Sequence, residues 1–159
     1  MAKTKPEPTP EELEERRERY DAFVAEEFVK PLAYLKFETD AMVDPKLYDL
    51  RCMCGGWKAA GLYVALALTL GRTEGHVFAV EDKATGRDRW ALLAALMGPD
   101  VGVDELKELA EAMYALGLLD RELYGEGRIA IRHITNNAYE AAEFVAKRRL
   151  GGTVGGRSR

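Results

Sequence analysis

The stretch "VGVDELKELAEAMYALGLLDRELYGEGRIAIR", residues 101–132, decides how this chain is read. Val103, Leu106, Leu109, Ala110, Met113 and Leu116 recur at intervals of three and four, the spacing that lines one face of an α-helix. The spacing predicts a helix over 103–116, with Gly117 as its C-terminal cap. Asp104, Glu105, Lys107, Glu108, Glu111, Ala112 and Ala115 fall together on the other side at about 100° per residue. That outward side is carboxylate-rich, with Lys107 as its one cation. LLDRELY and RIAIRHI follow, joined by Gly125-Glu126-Gly127. Two glycines in so short a connection permit positive φ and predict a β-hairpin.

Working outward from this stretch, the other elements follow from their own signals. Residues 1–8 read as a disordered tail. Thr9, Pro10 and Glu12 form a capping box with proline at the first helical position, which predicts a helix over 9–31 ended by Pro31. Leu13, Tyr20, Phe23, Val24 and Phe28 give it an apolar stripe, suited either to a dimer contact or to packing on the chain's own core. An extended piece is expected around Leu35 and Phe37. Asp44-Pro45 opens a short helix that Gly55-Gly56 closes. The run 57–70 is apolar nearly all round and predicts a buried central helix, with Trp57, Tyr63 and Trp90 as core residues. HVFAV, 76–80, reads as a short strand, EDKATGR as a loop, and 88–97 as a helix stopped by Gly98-Pro99. A last helix is predicted over 137–150, and 151–159 as a flexible basic tail.

Composition narrows the possible functions. The chain has 159 residues, 47% hydrophobic and 31% charged, with a net charge of −4. That is enough apolar content for a core, and it offers no global attraction to phosphate or anionic lipid. The charge is uneven: 8 basic residues stand against 4 acidic ones from 121 to 159. The longest apolar run, GLYVALALTLG, falls short of the roughly 20 residues needed to span a bilayer. MAKTKPEPTP has no apolar core of signal-peptide type. Cys52 and Cys54 do not make a disulfide framework, so a cytoplasmic location is expected.

The order helix, short strand, helix, helix, hairpin is that of a winged helix. The fold class expected is therefore mainly α with a small β-hairpin. It is a helix-turn-helix plus wing over 32–150, extended by an N-terminal and a C-terminal helix. Within that frame, Phe37, Asp40, Ala41, Asp44 and Lys46, the glycine-containing opening GGWKAAGLYVAL (55–66) and the run over 112–124, Ala112 followed by LGLLD-x-x-LY, resemble the N-terminal domain of phage replisome organisers and related replication initiators, DnaD-like in role. Gly61 also maps onto that pattern. The resemblance implies a cytoplasmic, non-catalytic protein of prophage or mobile-element replication that binds DNA and recruits replication machinery. It implies no catalytic residues and no cofactor.

Binding to DNA needs cations along phosphates and donors at base edges. The candidates are Arg121, Arg128 and Arg132 in and beside the hairpin, and Lys147, Arg148 and Arg149 after it. Arg87 and Arg89 stand at the start of a helix, and Lys107 on the third helix. Against this stands the acidic outward side of that helix, which would bring Asp104, Glu105, Glu108 and Glu111 towards phosphates. The alternative is a protein–protein adaptor or transcriptional regulator that uses those four carboxylates to bind a partner. Partners expected are thus DNA through wing and tail, a replication or regulatory protein, or a second copy through the N-terminal helix, with no membrane. A metal is not expected: C-x-C spacing is poor for zinc, and Cys52 and Cys54 read as small buried hydrophobes. His76 and His133 complete no ligand set, and no glycine-rich segment has the lysine and hydroxyl of a phosphate loop.

Overall fold

Asp44 and Pro45 start the central part of the chain as their residue types dictate. One Asp44 carboxylate oxygen accepts from the Lys46 N–H at 2.9 Å and the Leu47 N–H at 3.4 Å, and Pro45 occupies the first turn. The computed structural model describes residues 8–35, 37 and 44–155. Of the residues carrying the resemblance, Asp40 and Ala41 lie outside that range, as do most of the N-terminal tail and the last four residues.

After α1 (Pro10–Phe28), the larger unit is built from α2 (Pro45–Met53), α3 (Trp57–Arg72), α4 (Trp90–Met97) and α5 (Val103–Ala115). Helix α3 packs against the other three. Leu66, Leu70, Leu93, Leu106 and Leu109 have no exposed surface. Each such side chain contributes on the order of 1.5–3 kcal/mol relative to staying in water. Burial pushes the Tyr63 phenol up to about 12, with Asp44 nearby adding to the effect. The expectation that α3 is buried all round is corrected. Its neighbours cover only one side, and Trp57 is 66% exposed, Leu68 43% and Val64 36%. The wheel for α5 needs one change, since Ala112 is buried at 5%. Cys52 is exposed and Cys54 half-buried, so they are not the interior residues expected. Residues around Leu35 form no regular strand; instead the Leu32 N–H donates to the Gly71 carbonyl at 2.8 Å, and the Leu35 side chain lies against Gly71.

Two small β-ribbons complete this unit. Strand β1 (Phe78–Ala79) pairs antiparallel with β4 (Arg128–Ile129), Phe78 opposite Ile129 and Ala79 opposite Arg128. On the far side, Leu119 bridges Ile131, the Asp120 N–H donates to the Ala130 carbonyl at 2.9 Å, and the Arg132 N–H donates to the Leu118 carbonyl at 3.1 Å. The segment 128–131 is therefore held on both edges. The predicted hairpin is corrected between these bonds: Arg121–Gly125 is not a strand but a short helix, α6. The reason is Asp120, whose side chain accepts from the Leu123 N–H at 3.0 Å and caps the turn. Strands β2 (Glu81–Asp82) and β3 (Arg87–Asp88) form the second ribbon, where an open loop was expected. Asp82 organises its turn, accepting from the Ala84 N–H at 3.0 Å and the Thr85 hydroxyl at 2.7 Å. These bonds, the Thr85 one foremost, hold its carboxyl below the usual value.

The remaining residues form a separate unit: the chain up to Phe28 together with the chain from Tyr139. Helix α1 carries the predicted capping box, with the Glu12 N–H donating to Thr9 Oγ1 at 3.3 Å and the Thr9 N–H to Glu12 Oε2 at 3.0 Å. Its stripe of Tyr20, Phe23, Val24 and Phe28 packs on Ala142 and Ala146 of α7 (Arg132–Gly155). The Tyr20 hydroxyl donates to Glu143 at 3.0 Å. Helix α7 starts at Arg132 rather than 137 and passes through Gly151, where an end was predicted. Buried Ile134 and Ala138 hold its early start, and the Thr135 hydroxyl donates to the Arg132 carbonyl at 2.9 Å within the first turn. The protein is mainly helical with a small antiparallel sheet. Among the described residues, no single helix is long and apolar enough to cross a membrane.

Candidate functional site

One outward carboxylate of α5, Glu111, stands beside the second ribbon. Glu81 of β2, Asp88 of β3, Trp90 of α4, Lys107 and Glu111 of α5, and Tyr124 of α6 line one cleft with Val80 and Gly127, about 430 Å³ in volume. Three carboxylates thus line one cleft, to which Lys107 brings the lone cation. Lys107 stands 3.5 Å from Asp88, and its ammonium lies 5.9 Å from the Trp90 ring. Trp90 itself is nearly buried and gives the cleft an aromatic wall.

Tyr124 spans from α6 to α5. Its hydroxyl donates to Glu111 at 2.5 Å, and its ring stacks on Tyr114 at 5.0 Å between centroids. Burial raises its phenol well above the usual value, and the Glu111 carboxylate adds to the shift. The ring and the carboxylate hold each other in place, so Glu111 has a fixed position in the cleft.

The other predicted acidic residues are arranged differently. Glu105 pairs with Lys58 of α3. Asp104 and Glu108 are exposed, and the Glu108 carbonyl accepts from the Cys54 thiol at 3.8 Å. Burial raises the Cys54 thiol above its ordinary value. The sequence does not single out Glu81, Asp88 or Tyr124, and it marks Trp90 only as a core residue. The signal for the first two lay in D82-x-x-x-G86, a turn that brings Asp88 opposite Glu81.

The predicted cations divide into two groups. Lys147, Arg148 and Arg149 belong to the smaller unit. Lys147 pairs with Glu143 at 3.9 Å, Arg148 stacks over Phe144 at 5.5 Å, and Arg149 meets Glu27 at 3.2 Å and Glu26 at 3.9 Å. The others belong to the larger unit. Arg128 is paired with Glu126, Arg89 lies over the Phe78 ring at 4.9 Å, and Arg121 lies over Tyr114 at 5.6 Å. Arg87 and Arg132 are exposed. A row of cations that is continuous in sequence is thus distributed over two units, and four of the nine candidates, Lys107, Arg128, Lys147 and Arg149, carry a carboxylate partner. Among the described residues, no group of three or more His, Cys, Asp or Glu side chains is arranged to hold a metal. Comparison with protein families, curated proteins and solved structures returns no match to this chain.

Proposed function

We propose that this chain is a non-catalytic adaptor module of winged-helix type that takes a cationic segment of a partner protein into the cleft beside α5. The observation that carries the reading is the convergence of Glu81, Asp88 and Glu111 around a cleft walled by Trp90. Each of these exposed carboxylates is worth only about 0–1 kcal/mol to a single guanidinium, so the attraction rests on three of them lining one cleft. A phosphate at the same place is repelled on the same scale. Trp90 and Tyr124 add aromatic surface suited to arginine. The winged-helix assignment rests on element order: α3, β1, α4, α5, then the returning segment 128–131 between β1 and residues 118–120. The resemblance to replisome organisers sets the proposed context, recruitment of a protein during prophage or mobile-element replication in the cytoplasm.

One observation favours a second reading, duplex DNA contact through the wing. Arg121, Arg128 and Arg132 bracket α6 and β4, and an exposed ion pair such as Arg128–Glu126 is worth only about 0–1 kcal/mol, so phosphate can displace it. Anisotropy titrations of the full chain with a labelled arginine-rich peptide, an acidic peptide of equal length and a labelled duplex separate the two. The adaptor reading expects salt-sensitive binding of the basic peptide, weakened at least about tenfold by Glu81→Gln with Glu111→Gln. Tight binding to the duplex alone, weakened by Arg121→Ala and Arg132→Ala, would replace it with the second reading.

A further inference from the structure

Lys107 is the lone cation lining the cleft beside α5, and it stands where a guest's cation has to go. Its ammonium lies 3.5 Å from Asp88 and 5.9 Å from the centre of the Trp90 ring. A carboxylate and an aromatic face are what the cleft offers an incoming arginine, and the chain's own lysine already meets both. The groups around it are tied in place. One Asp88 oxygen accepts from the Trp90 N–H at 2.9 Å at the start of α4, and the other faces Lys107. Glu111 is held by the Tyr124 hydroxyl, and the Glu81 N–H donates to the Gly127 carbonyl at 3.1 Å. Lys107 reaches Asp88 on a flexible stem, its side chain 43% exposed. The cleft thus has anchored anionic walls and one movable cation.

We infer that Lys107 is a built-in competitor for the partner's cation. In the free chain it occupies the Asp88–Trp90 end of the cleft, and it swings out to solvent when a guanidinium takes that place. The inference rests on the adaptor reading above and adds an autoinhibitory contact to it. Three properties make the exchange work. The Lys107–Asp88 pair is exposed on both sides, and pairs of that kind hold weakly. An ammonium is strongly hydrated, so water receives it readily, whereas a guanidinium is weakly hydrated and stacks on aromatic rings. Asp88 stays put when Lys107 leaves, because its second oxygen still caps α4. Any change that removes the charge of Lys107 therefore opens the cleft to a basic segment.

Anisotropy titration of the full chain with a labelled, lysine-free, arginine-rich peptide tests this. Lys107→Gln should tighten binding about three- to fivefold, while Lys107→Arg stays within about twofold of wild type. Lys58→Gln is the control for charge alone: it removes the same charge from the pair with Glu105, outside the cleft, and should change binding less than about twofold. Should Lys107→Gln lose its helical circular dichroism, Lys107→Met serves in its place. Displacement has its own readout in the wild-type chain. Acetylation of Lys107 by acetic anhydride, followed by mass spectrometry, should speed up when the peptide is saturating, with Lys58 unchanged. If the wild type binds the peptide but Lys107→Gln gains no more than Lys58→Gln, or Lys107 is not more reactive in the complex, the competitor role is overturned and the adaptor reading stands. If neither the wild type nor Lys107→Gln binds the peptide, both fall.

Discussion

Tyr124 joins two parts of the cleft through one hydroxyl. Neutral, it donates to Glu111; ionised, it would set a phenolate against that carboxylate. Burial and this partner together raise its titration above the ordinary value near 10. The sign of the linkage follows. A raised folded-state value means the fold favours the proton, so this contribution is complete below pH 10 and is lost as pH rises beyond it. In a phenolate absorbance titration, Tyr124→Phe should remove one late-ionising tyrosine and leave Tyr63, held to about 12, as another. The variant's stability should also fall less steeply between pH 10 and 12. An unchanged late phase in Tyr124→Phe would show that the phenol is not held as described. At this scale helical spacing reveals which charged side chains of α5 face outward, with Ala112 the one position it misplaces. It did not reveal what they meet: Glu111 finds its partner thirteen residues on, through a helix that the hairpin reading left out.

At the scale of elements, local signals were legible wherever one side chain settles the matter. Thr9 with Glu12, and Asp44 with Pro45, mark helix starts that the structure keeps. Signals misled where two chemistries competed. Asp120 followed by Arg-Glu-Leu is a capped helical turn, but the glycines at 125 and 127 drew the reading towards a two-stranded ribbon. The β2–β3 ribbon has two residues per strand, too few for an alternating pattern to emerge. Gly127 is the joint between the two ribbons. Its φ is +78°, its carbonyl accepts from the Val80 and Glu81 N–H groups at 2.9 and 3.1 Å, and a Cβ there would come within 2.8 Å of the Glu81 Cβ. Gly127→Ala should therefore destabilise the chain by more than about 1 kcal/mol in urea denaturation, through strained φ and steric conflict together. A loss below about 0.5 kcal/mol would mean the ribbons shift apart easily.

For the whole molecule, the uneven distribution of buried surface matters most. The larger unit holds the extended core of α2 to α5, while the smaller, among the described residues, buries only Val24, Ala142 and Ala146 around partly covered aromatics. Backbone bonds under so little apolar cover open at low free energy. Hydrogen exchange should therefore be complete in α1 well before the amides of Tyr63 to Leu70 in α3. Equal protection of the two segments would contradict this account. Charge shows the limit of linear reading at the same scale: the basic excess after residue 120 looks continuous along the chain, yet Lys147, Arg148 and Arg149 belong to a different unit from Arg121, Arg128 and Arg132. The main-chain bonds at Asp120 and Gly127 clamp both ends of the α6 turn independently of the six or so residues between them. That makes the exposed end of this tip the natural place to graft foreign sequence: a peptide epitope inserted between Gly125 and Glu126 would be displayed from a scaffold that keeps the Asp120 cap and the Tyr124 contact with Glu111.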